Sequence, residues 1–395
     1  MNRLQVGIFG ETNAGKSSLF NALTNTNIAI VSDESGTTTD AVQKTMELAP
    51  FGPITLIDTA GLNDETTLGT KRLEKTTAII NRIDLAIYVI DAARIKLSID
   101  LYNDFAKKLT TVNTPHILAV TKSDVADSIG AKSLPSAAIS VSIHESDTID
   151  KLKKLMVQEL SQIKTDDGSL IGDLIPPGST VLLVAPIDSA APAGRLILPQ
   201  VNLLRDCLDH GITAHIATVD TLPNAMANLK KIHLVVTDSQ VFSAVEKIIP
   251  QDMPLTSFSI LMARQKGDIE VLLKGINAIQ NLTDGDNVLI AEVCTHSRTH
   301  EDIGQVKIPA ALKKLTGGKN LNITFTQGRD YPIESGNFAL IIHCAGCMIS
   351  RKEKMNRIKA AQDAGIPITN YGLFLAHASQ ILERSTGILH KVGGK

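Results

Sequence analysis

Tryptophan is absent from the sequence, and aromatic residues make up only 3% of it. Proteins that hold nucleic-acid bases by stacking need exposed aromatic rings, so this scarcity argues against such a surface. Charge points the same way, because 39 Lys and Arg nearly balance 41 Asp and Glu and leave a formal net charge of -2. A phosphate backbone is bound by a concentrated positive surface. We therefore expect no nucleic-acid partner.

Long apolar runs and cysteines are also scarce. No stretch approaches the roughly 18 to 20 apolar residues of a membrane helix, so we expect no membrane partner. The first residues, MNRLQVGIFG, have strand character and no apolar signal core. Four cysteines are too few for a disulfide framework. These features favour a reducing cytoplasm, in which thiols more often bind metal or act in catalysis.

Strand and helix patterns alternate in three stretches of the chain. Residues 1–163 combine apolar strands such as LAIYVID with helical segments such as KSSLFNALT. A linker rich in Gly, Asp and Pro is predicted at 164–179, and the alternation resumes over 180–265 and 266–395. Alternation of this kind predicts a parallel sheet with helices on both faces. We predict an α/β fold of three domains, each a mainly parallel sheet flanked by helices.

Finer predictions concern three segments of the later stretches. LTSFSI (255–260) and IPITNYG (366–372) have the apolar character of strands. Cys207 lies on a predicted helix and shares one face of it with Leu203, Leu204 and Leu208, so we expect it to be buried rather than to bind a metal.

The stretch GETNAGKSS (10–18) has the spacing G-x-x-x-x-G-K-[ST] between a predicted strand and a predicted helix. This is the context of a P-loop, in which backbone N–H groups surround phosphates at a helix N-terminus. Lys16 is expected to contact the β- and γ-phosphates and to act in catalysis, and Ser17 to hold Mg²⁺. The predicted phosphate-binding residues are Gly10, Asn13, Ala14, Gly15, Lys16, Ser17 and Ser18.

Four further motifs follow in an order that resembles the translation-factor-related GTPases. GTTTD and DTAG supply groups for Mg²⁺ and the γ-phosphate, and TKSD and SAAISVS face the base. Asp124 can accept two hydrogen bonds from guanine, which adenine cannot offer, so the nucleotide is predicted to be GTP or GDP. The predicted catalytic residues here are Thr38, which also binds Mg²⁺, and Gly61; the other nucleotide-binding residues are Thr37, Asp58, Thr121, Lys122, Asp124, Ser140 and Val141.

Three positions distinguish this sequence from other GTPases. Thr121 stands where that class usually has Asn, and its hydroxyl can still form a hydrogen bond. Leu62 replaces the usual water-orienting Gln, so the chain resembles the subgroup with a hydrophobic residue there. In some members of that subgroup an asparagine at the position of Asn13 binds K⁺, which neutralises developing charge as an arginine finger does. We therefore predict a K⁺-stimulated GTP hydrolase, with Glu65 as a candidate for positioning water.

Three cysteines follow predicted strands near the end of the chain. CTH begins at Cys294, and HCAGC contains Cys344 and Cys347 directly after the apolar run FALII. Ligands of parallel sheets gather beyond the carboxyl ends of the strands, so we expect these thiols to converge. A helix predicted to start near Met348 would direct its N-terminus at them, which favours thiolates.

The residues alone leave three functions open. Three cysteines and a fourth ligand can hold a 4Fe-4S cluster with one exchangeable position, or zinc in a Cys₃His site completed by His296 or His343. The first choice describes an iron–sulfur GTPase, and the second an RNA-modifying or ribosome-assembly GTPase. A thiol redox protein would instead use Cys344 and Cys347 as a disulfide pair. Candidates for a fourth ligand are His296, His300, Glu301, Asp302 and His343.

The GTPase motifs combined with C-x-H and H-C-x-x-C resemble the FeFe-hydrogenase maturation GTPase family over essentially the whole chain. The resemblance implies a 4Fe-4S cluster on Cys294, Cys344 and Cys347, with Glu301 or a nearby histidine as the replaceable fourth ligand. It implies a homodimer formed through residues 180–265. It also implies delivery of a diiron unit to apo FeFe-hydrogenase, after loading by two radical-SAM maturases. GTP or GDP, Mg²⁺, K⁺ and the cluster are the cofactors expected.

Overall fold

The protein divides into two compact units, Met1–Asp166 and Asp167–Lys395. The structure is a computed structural model that describes residues 4–25, 42–59, 76, 79–122, 138–163, 168–187, 194, 196–293, 303–328, 331–333 and 337–392. No helix in these ranges has the length and apolar character needed to cross a bilayer.

The described part of the first unit is a sheet of six strands in the order β2-β3-β1-β4-β5-β6. Only β2 runs antiparallel to its neighbour, β3, and the remaining pairs in this sheet are parallel. The central strand is buried along nearly its whole length, because LAIYVID is apolar on both faces and helices cover both. The strands are β1 (Leu4–Gly10), β2 (Val42–Leu48), β3 (Gly52–Asp58), β4 (Leu85–Asp91), β5 (His116–Thr121) and β6 (Ala138–Val141).

Amphipathic helices pack on this sheet. In the last of them, Ile149, Leu152, Met156 and Leu160 recur at helical spacing and are buried, so they form the stripe that faces the sheet. The helices are α1 (Lys16–Asn25), α2 (Ile95–Thr111) and α3 (Ser146–Gln162), with a short 3-10 turn at Ala92–Arg94.

The described part of the second unit contains two parallel sheets of four strands each. Their orders are β10-β9-β7-β8 and β12-β11-β13-β14. In each sheet the strand that comes first in the chain, β7 or β11, lies in the interior of the sheet and is almost entirely buried. The strands are β7 (Thr180–Val184), β8 (Thr213–Ala217), β9 (Leu234–Thr237), β10 (Leu255–Ser257), β11 (Asn287–Glu292), β12 (Asn322–Gln327), β13 (Phe338–His343) and β14 (Ile368–Asn370).

One hydrophobic core joins the two sheets of the second unit. Val184 of β7 and Phe242, on a helix that follows β9, belong to the same cluster of buried residues as Leu272 and Ile341, which lie in the part of the unit that contains the second sheet. The helices are α4 (Leu198–Asp209), α5 (Leu222–Asn228), α6 (Phe242–Glu246), α7 (Phe258–Lys266), α8 (Ile269–Ile276), α9 (Ile308–Leu315), α10 (Arg351–Asp363), α11 (Tyr371–Ala378) and α12 (Leu382–Thr386), with 3-10 turns at Ser239–Val241, Asn277–Asn281 and Gly387–Val392 and a π-helical turn at Ile303–Lys307.

The α/β fold with mainly parallel sheets is therefore confirmed, but part of the predicted linker differs from the structure. Residues 168–179 were predicted as linker, yet Leu170 and Ile171 are buried in a core of the second unit. The predicted division between 265 and 266 lies at the end of α7, between the last strand of one sheet, β10, and the first strand of the other, β11. The apolar residues of the linker, rather than its Gly and Pro content, decide its packing.

Three local predictions also need correction. LTSFSI is a strand only to Ser257, whose hydroxyl accepts from Ile260 N and so starts α7. IPITNYG ends as a strand at Asn370, which caps α11 in the same manner. Cys207 is buried as predicted, but Leu208 is 72% exposed and lies on the opposite side of α4.

Candidate functional site

The loop between β1 and α1 has a backbone shape that requires glycine. Gly10 has φ 139°, and a Cβ on it would lie 2.2 Å from Val89 O. Gly15 has φ 92°, a left-handed conformation that side chains rarely adopt. Between them Asn13 also has a positive φ, 62°. The loop thereby turns sharply from the strand into the first turn of α1, as phosphate binding through backbone amides requires.

Lys16 is folded into this loop. Its Nζ donates to Gly10 O at 3.0 Å and to Glu11 O at 2.7 Å, and the residue is 4% exposed. Burial lowers the pKa of Lys16, and the carboxylates of Asp58 and Glu11 counteract that shift. The ammonium group is therefore enclosed by the loop between β1 and α1. A bound phosphate would compete with the carbonyls of Gly10 and Glu11 for this ammonium.

Two residues of the TKSD motif fasten the loop to β5. The Thr121 hydroxyl donates to Ala14 O at 2.6 Å and approaches Ile90 O at 3.2 Å. Lys122 Nζ donates to Asn13 O at 3.1 Å and to Asp91 Oδ2 at 2.6 Å. Thr121 is buried, and its oxygen would lie 3.4 Å from a Cβ on Gly15. The threonine thus anchors the loop through a single short hydroxyl bond.

The structure places further predicted residues around the loop. Ser17 and Ser18 lie exposed in the first turn of α1, and Asp58 ends β3 with only 6% exposure. Ser140 and Val141 end β6, where Val141 pairs with Thr121. The GTPase residues that lie outside the described ranges are Thr37, Thr38, Gly61, Leu62, Glu65 and Asp124.

Two supporting groups were not predicted from the sequence. Glu11 accepts a hydrogen bond from the Ser98 hydroxyl of α2, which ties the loop to that helix. Asp91, at the end of β4, receives the Lys122 ammonium. Glu11 is an unspecified position of the P-loop pattern and its partner is far away in the chain, so no local signal marks this contact.

The second candidate site lies where β11 and β13 end. The two strands are parallel neighbours, with Ala291 opposite His343. Cys344 N donates to Ala291 O at 2.9 Å, and Cys344 Sγ accepts from Val293 N at 3.3 Å. Val293 directly precedes Cys294, which itself lies outside the described residues. The backbone therefore brings Val293, the last described residue before the C-x-H segment, to the first cysteine of C-x-x-C.

The two thiols of C-x-x-C differ in their surroundings. Cys344 is buried, whereas Cys347 is partly exposed. Burial raises the pKa of the Cys344 thiol, although the Lys354 ammonium and backbone N–H groups of Val293 and Gly346 act in the opposite direction. The following helix, α10, starts at Arg351 rather than near Met348. The N-terminus of this helix was expected to favour thiolates, whereas burial of Cys344 favours its neutral thiol.

His343 is enclosed beside the cysteines. Its Nδ1 lies 2.8 Å from both Lys354 Nζ and Cys344 O, and its Nε2 lies 3.4 Å from an Arg357 nitrogen. Burial and these two cations hold the pKa of His343 well below its usual range. Burial likewise lowers the pKa of Lys354, to about 7. Both ring nitrogens face protein groups, so His343 would have to reorient before it could bind a metal.

The donor chemistry at this edge suits a thiolate-bound metal group. Two thiols on one loop and two N–H groups directed at sulfur are features that iron–sulfur sites share. Within the ranges that the structure covers, no group of three His, Cys, Asp or Glu side chains is placed to hold a metal. The remaining predicted ligands, which lie outside those ranges, are Cys294, His296, His300, Glu301 and Asp302.

Comparison with known proteins finds GTPases that are similar to part of this chain. A GTPase relative, the probable tRNA modification GTPase MnmE of Cyanidioschyzon merolae, is 34% identical over 172 residues, which are 43% of this chain and 37% of the relative. GTPase Der of Kosmotoga olearia is 41% identical over 96 residues, 23% of this chain and 22% of the relative. This chain thus spans well under half the length of either. The solved G domain of the T. maritima FeoB iron transporter is 24% identical, with a TM-score of 0.31, and covers 40% of this chain and 99% of that chain.

Family models cover most of both units. The model described as a 50S ribosome-binding GTPase matches residues 5–122, so the first unit is a P-loop GTP hydrolase domain, a class that binds GTP and GDP with Mg²⁺. The dimerization and tetramerization domains of hydrogen maturase F match residues 170–267 and 270–388, together more than half of the chain. With both of that family's own domains following a GTPase domain, the chain belongs to the hydrogen maturase F (HydF) family, the FeFe-hydrogenase maturation GTPases.

Proposed function

We propose that this protein is a GTP-hydrolysing scaffold that holds a 4Fe-4S cluster and delivers a diiron unit to apo FeFe-hydrogenase. The observation that carries the proposal is the contact between Val293 N and Cys344 Sγ, 3.3 Å. It supports the convergence of Cys294 with Cys344 and Cys347, because Val293 and Cys294 are joined by one peptide bond. A cluster bound there would supply a site-differentiated iron with one exchangeable ligand.

We propose that the fourth ligand comes from the segment that follows Cys294 rather than from His343 at the end of β13. His343 is the only candidate within the described residues, and its nitrogens contact Lys354, Arg357 and Cys344 O. An imidazole can bind a metal only when one of its ring nitrogens directs a free lone pair at that metal. We therefore favour Glu301, with His296 as the alternative, over His343.

The nucleotide site is proposed to work as the motifs predict. Lys16 would exchange its bonds with Gly10 O and Glu11 O for the β- and γ-phosphates when GTP binds. Ser17, Thr38 and Asp58 would form the Mg²⁺ shell, and Asn13 would bind K⁺ beside the phosphates. Asp124 would select guanine. The cytoplasm, where thiols stay reduced, is the compartment that we propose for this chemistry.

Self-association is proposed to use the exposed face of α4. Leu198, Val201 and Leu208 are all exposed and recur on one side of this helix, while Leu203 and Cys207 are buried on the other. Apolar side chains aligned in this way on a surface are characteristic of interfaces. The helix lies in the segment that matches the dimerization domain, so a homodimer is the simplest assembly. The partners proposed beyond this are the two radical-SAM maturases and the hydrogenase.

Anaerobic reconstitution with iron and sulfide tests the proposal. We expect broad visible absorption, about four irons per chain as in a cubane cluster, and a dimer by light scattering. Cys344→Ser should lose most of the iron. Cys207→Ala is the matched control, because that thiol is buried in the other sheet's core, and it should keep the iron. A colourless protein with one bound zinc would overturn the cluster and favour a Cys₃His module.

A further inference from the structure

A buried lysine holds the loop that carries the cysteines. Lys266, the last residue of α7, is 1% exposed. Its Nζ donates to Gly346 O at 3.3 Å, Cys347 O at 3.0 Å and Ile349 O at 2.8 Å. An ammonium donates hydrogen bonds and accepts none, and these three carbonyls of one loop are acceptors for it.

This contact buries a charged group, which costs free energy, and it joins segments that match two different family domains. Burying an ammonium is strongly unfavourable unless hydrogen bonds replace its hydration, and one loop supplies three such bonds here. Lys266 belongs to the segment that matches the dimerization domain, whereas the loop lies in the tetramerization domain. A second bond at the same place, from Arg351 to Gln265 O, joins the start of α10 to the end of α7.

A second lysine, Lys354, also confines the loop. Lys354 Nζ donates to Cys344 O at 3.0 Å. Gly346 has φ 73°, and a Cβ on it would lie 3.3 Å from Ile349 and 3.4 Å from the Lys354 side chain. The peptide units between Cys344 and Ile349 therefore have little freedom, because each of the two lysines holds carbonyls of this segment.

We propose that Lys266 is a positioning residue for the thiol ligands, which fixes the carbonyls of the C-x-x-C loop and places a buried positive charge beside the Cys347 carbonyl. The inference rests on the proposed cluster site for its role, though the loop contact itself does not depend on a cluster. Groups that orient metal ligands typically contribute about 10- to 100-fold to metal affinity. A positive charge near a cluster also favours its reduced, more negative form.

The test compares Lys266→Met with Lys274→Met. The two substitutions remove the same charge and leave a chain of similar length, but Lys274 is exposed on α8. In the metal-free protein, amide exchange of residues 344–350 and alkylation of Cys347 should accelerate about tenfold in Lys266→Met only. Exchange in β7 should stay at the wild-type rate, which separates a loosened loop from general unfolding.

The reconstituted proteins give the second readout. Iron should pass to a chelator about tenfold faster from Lys266→Met than from wild type, and the cluster's midpoint potential should shift to a more negative value. Lys274→Met should match wild type in both. If Lys266→Met does not fold, Lys266→Arg, which keeps the charge and the donors, should retain the wild-type potential.

Two failures can be told apart. Wild-type protein that takes up no iron would overturn the proposed cluster function, while the exchange of the metal-free loop would still decide the role of Lys266. Wild-type exchange, iron retention and potential in folded Lys266→Met would overturn the positioning role. So would a potential in Lys266→Arg that is clearly more negative than that of the wild type.

Discussion

Replacing Thr121 by valine tests how the GTPase loop is held. The substitution keeps the shape of the side chain but removes the hydroxyl that donates to Ala14 O at 2.6 Å. Thr121 is buried, so water cannot readily replace the lost donor. The hydroxyl also lies beside Gly15, the glycine that precedes Lys16. We expect the loop to lose its link to β5 and to become more mobile.

The magnitude follows from the burial of the contact. Leaving a buried acceptor unsatisfied costs about 1–3 kcal/mol, more than the net value of an average hydrogen bond. Since 1.4 kcal/mol corresponds to a factor of ten, the ordered loop should become about 5- to 150-fold less populated relative to open forms. Lys122 still holds Asn13 O, so nucleotide binding should weaken without being lost. A decrease of about tenfold in GDP affinity is the expected value.

Titration with a fluorescent GDP analogue and amide exchange of the loop peptide measure the effect. Thr121→Ser keeps the hydroxyl and should bind within about twofold of wild type. Thr110→Val is the matched control, because its hydroxyl bonds to Ala106 O on the exposed face of α2. Wild-type affinity and wild-type exchange in Thr121→Val would refute the anchoring role of this hydroxyl.

The remaining predictions concern the rest of the nucleotide site. Lys16→Ala should reduce GTP hydrolysis to background because the phosphates lose their main cation, while iron content per chain stays unchanged; loss of iron would contradict the independence of the two sites. Asp124→Asn should shift binding from GTP toward xanthosine triphosphate, and unchanged GTP affinity in a competition assay would count against its role. Exchange of K⁺ for Na⁺ should slow turnover by up to about 10³-fold, and equal rates in the two salts would remove Asn13 from a cation site.

Local sequence signals predicted the elements around both sites. The P-loop spacing specifies a strand, a turn and a helix, and the structure has β1, a turn with glycines at φ 139° and 92°, and α1. Apolar runs predicted the central strands because a strand buried on both faces has little choice of composition. Predictions failed where one polar side chain ends a strand, as at Ser257 and Asn370, since a cap changes the structure within one residue.

Contacts between distant residues were beyond such signals. Nothing in the pattern around Lys266 distinguishes it from an exposed lysine at a helix end, which is the usual position of that residue type. His343 next to Cys344 suggested a metal ligand, whereas the fold surrounds its ring with Lys354 and Arg357. The Gly and Pro content of residues 164–179 predicts a linker, and only the packing of the fold shows that Leu170 is 1% exposed.

By itself, the sequence determined the alternating strands and helices of this protein and the glycine-containing turn between β1 and α1, and it predicted the guanine-selecting groups and the three cysteine ligands. Those features depend on the spacing of neighbouring residues, so they can be inferred without a fold. The tertiary structure alone decided that β11 ends beside β13, which directs Val293 N at the Cys344 sulfur. It also decided that an ammonium from the preceding helix is buried against the cysteine loop. Such contacts depend on how sheets and helices pack, which no short segment encodes.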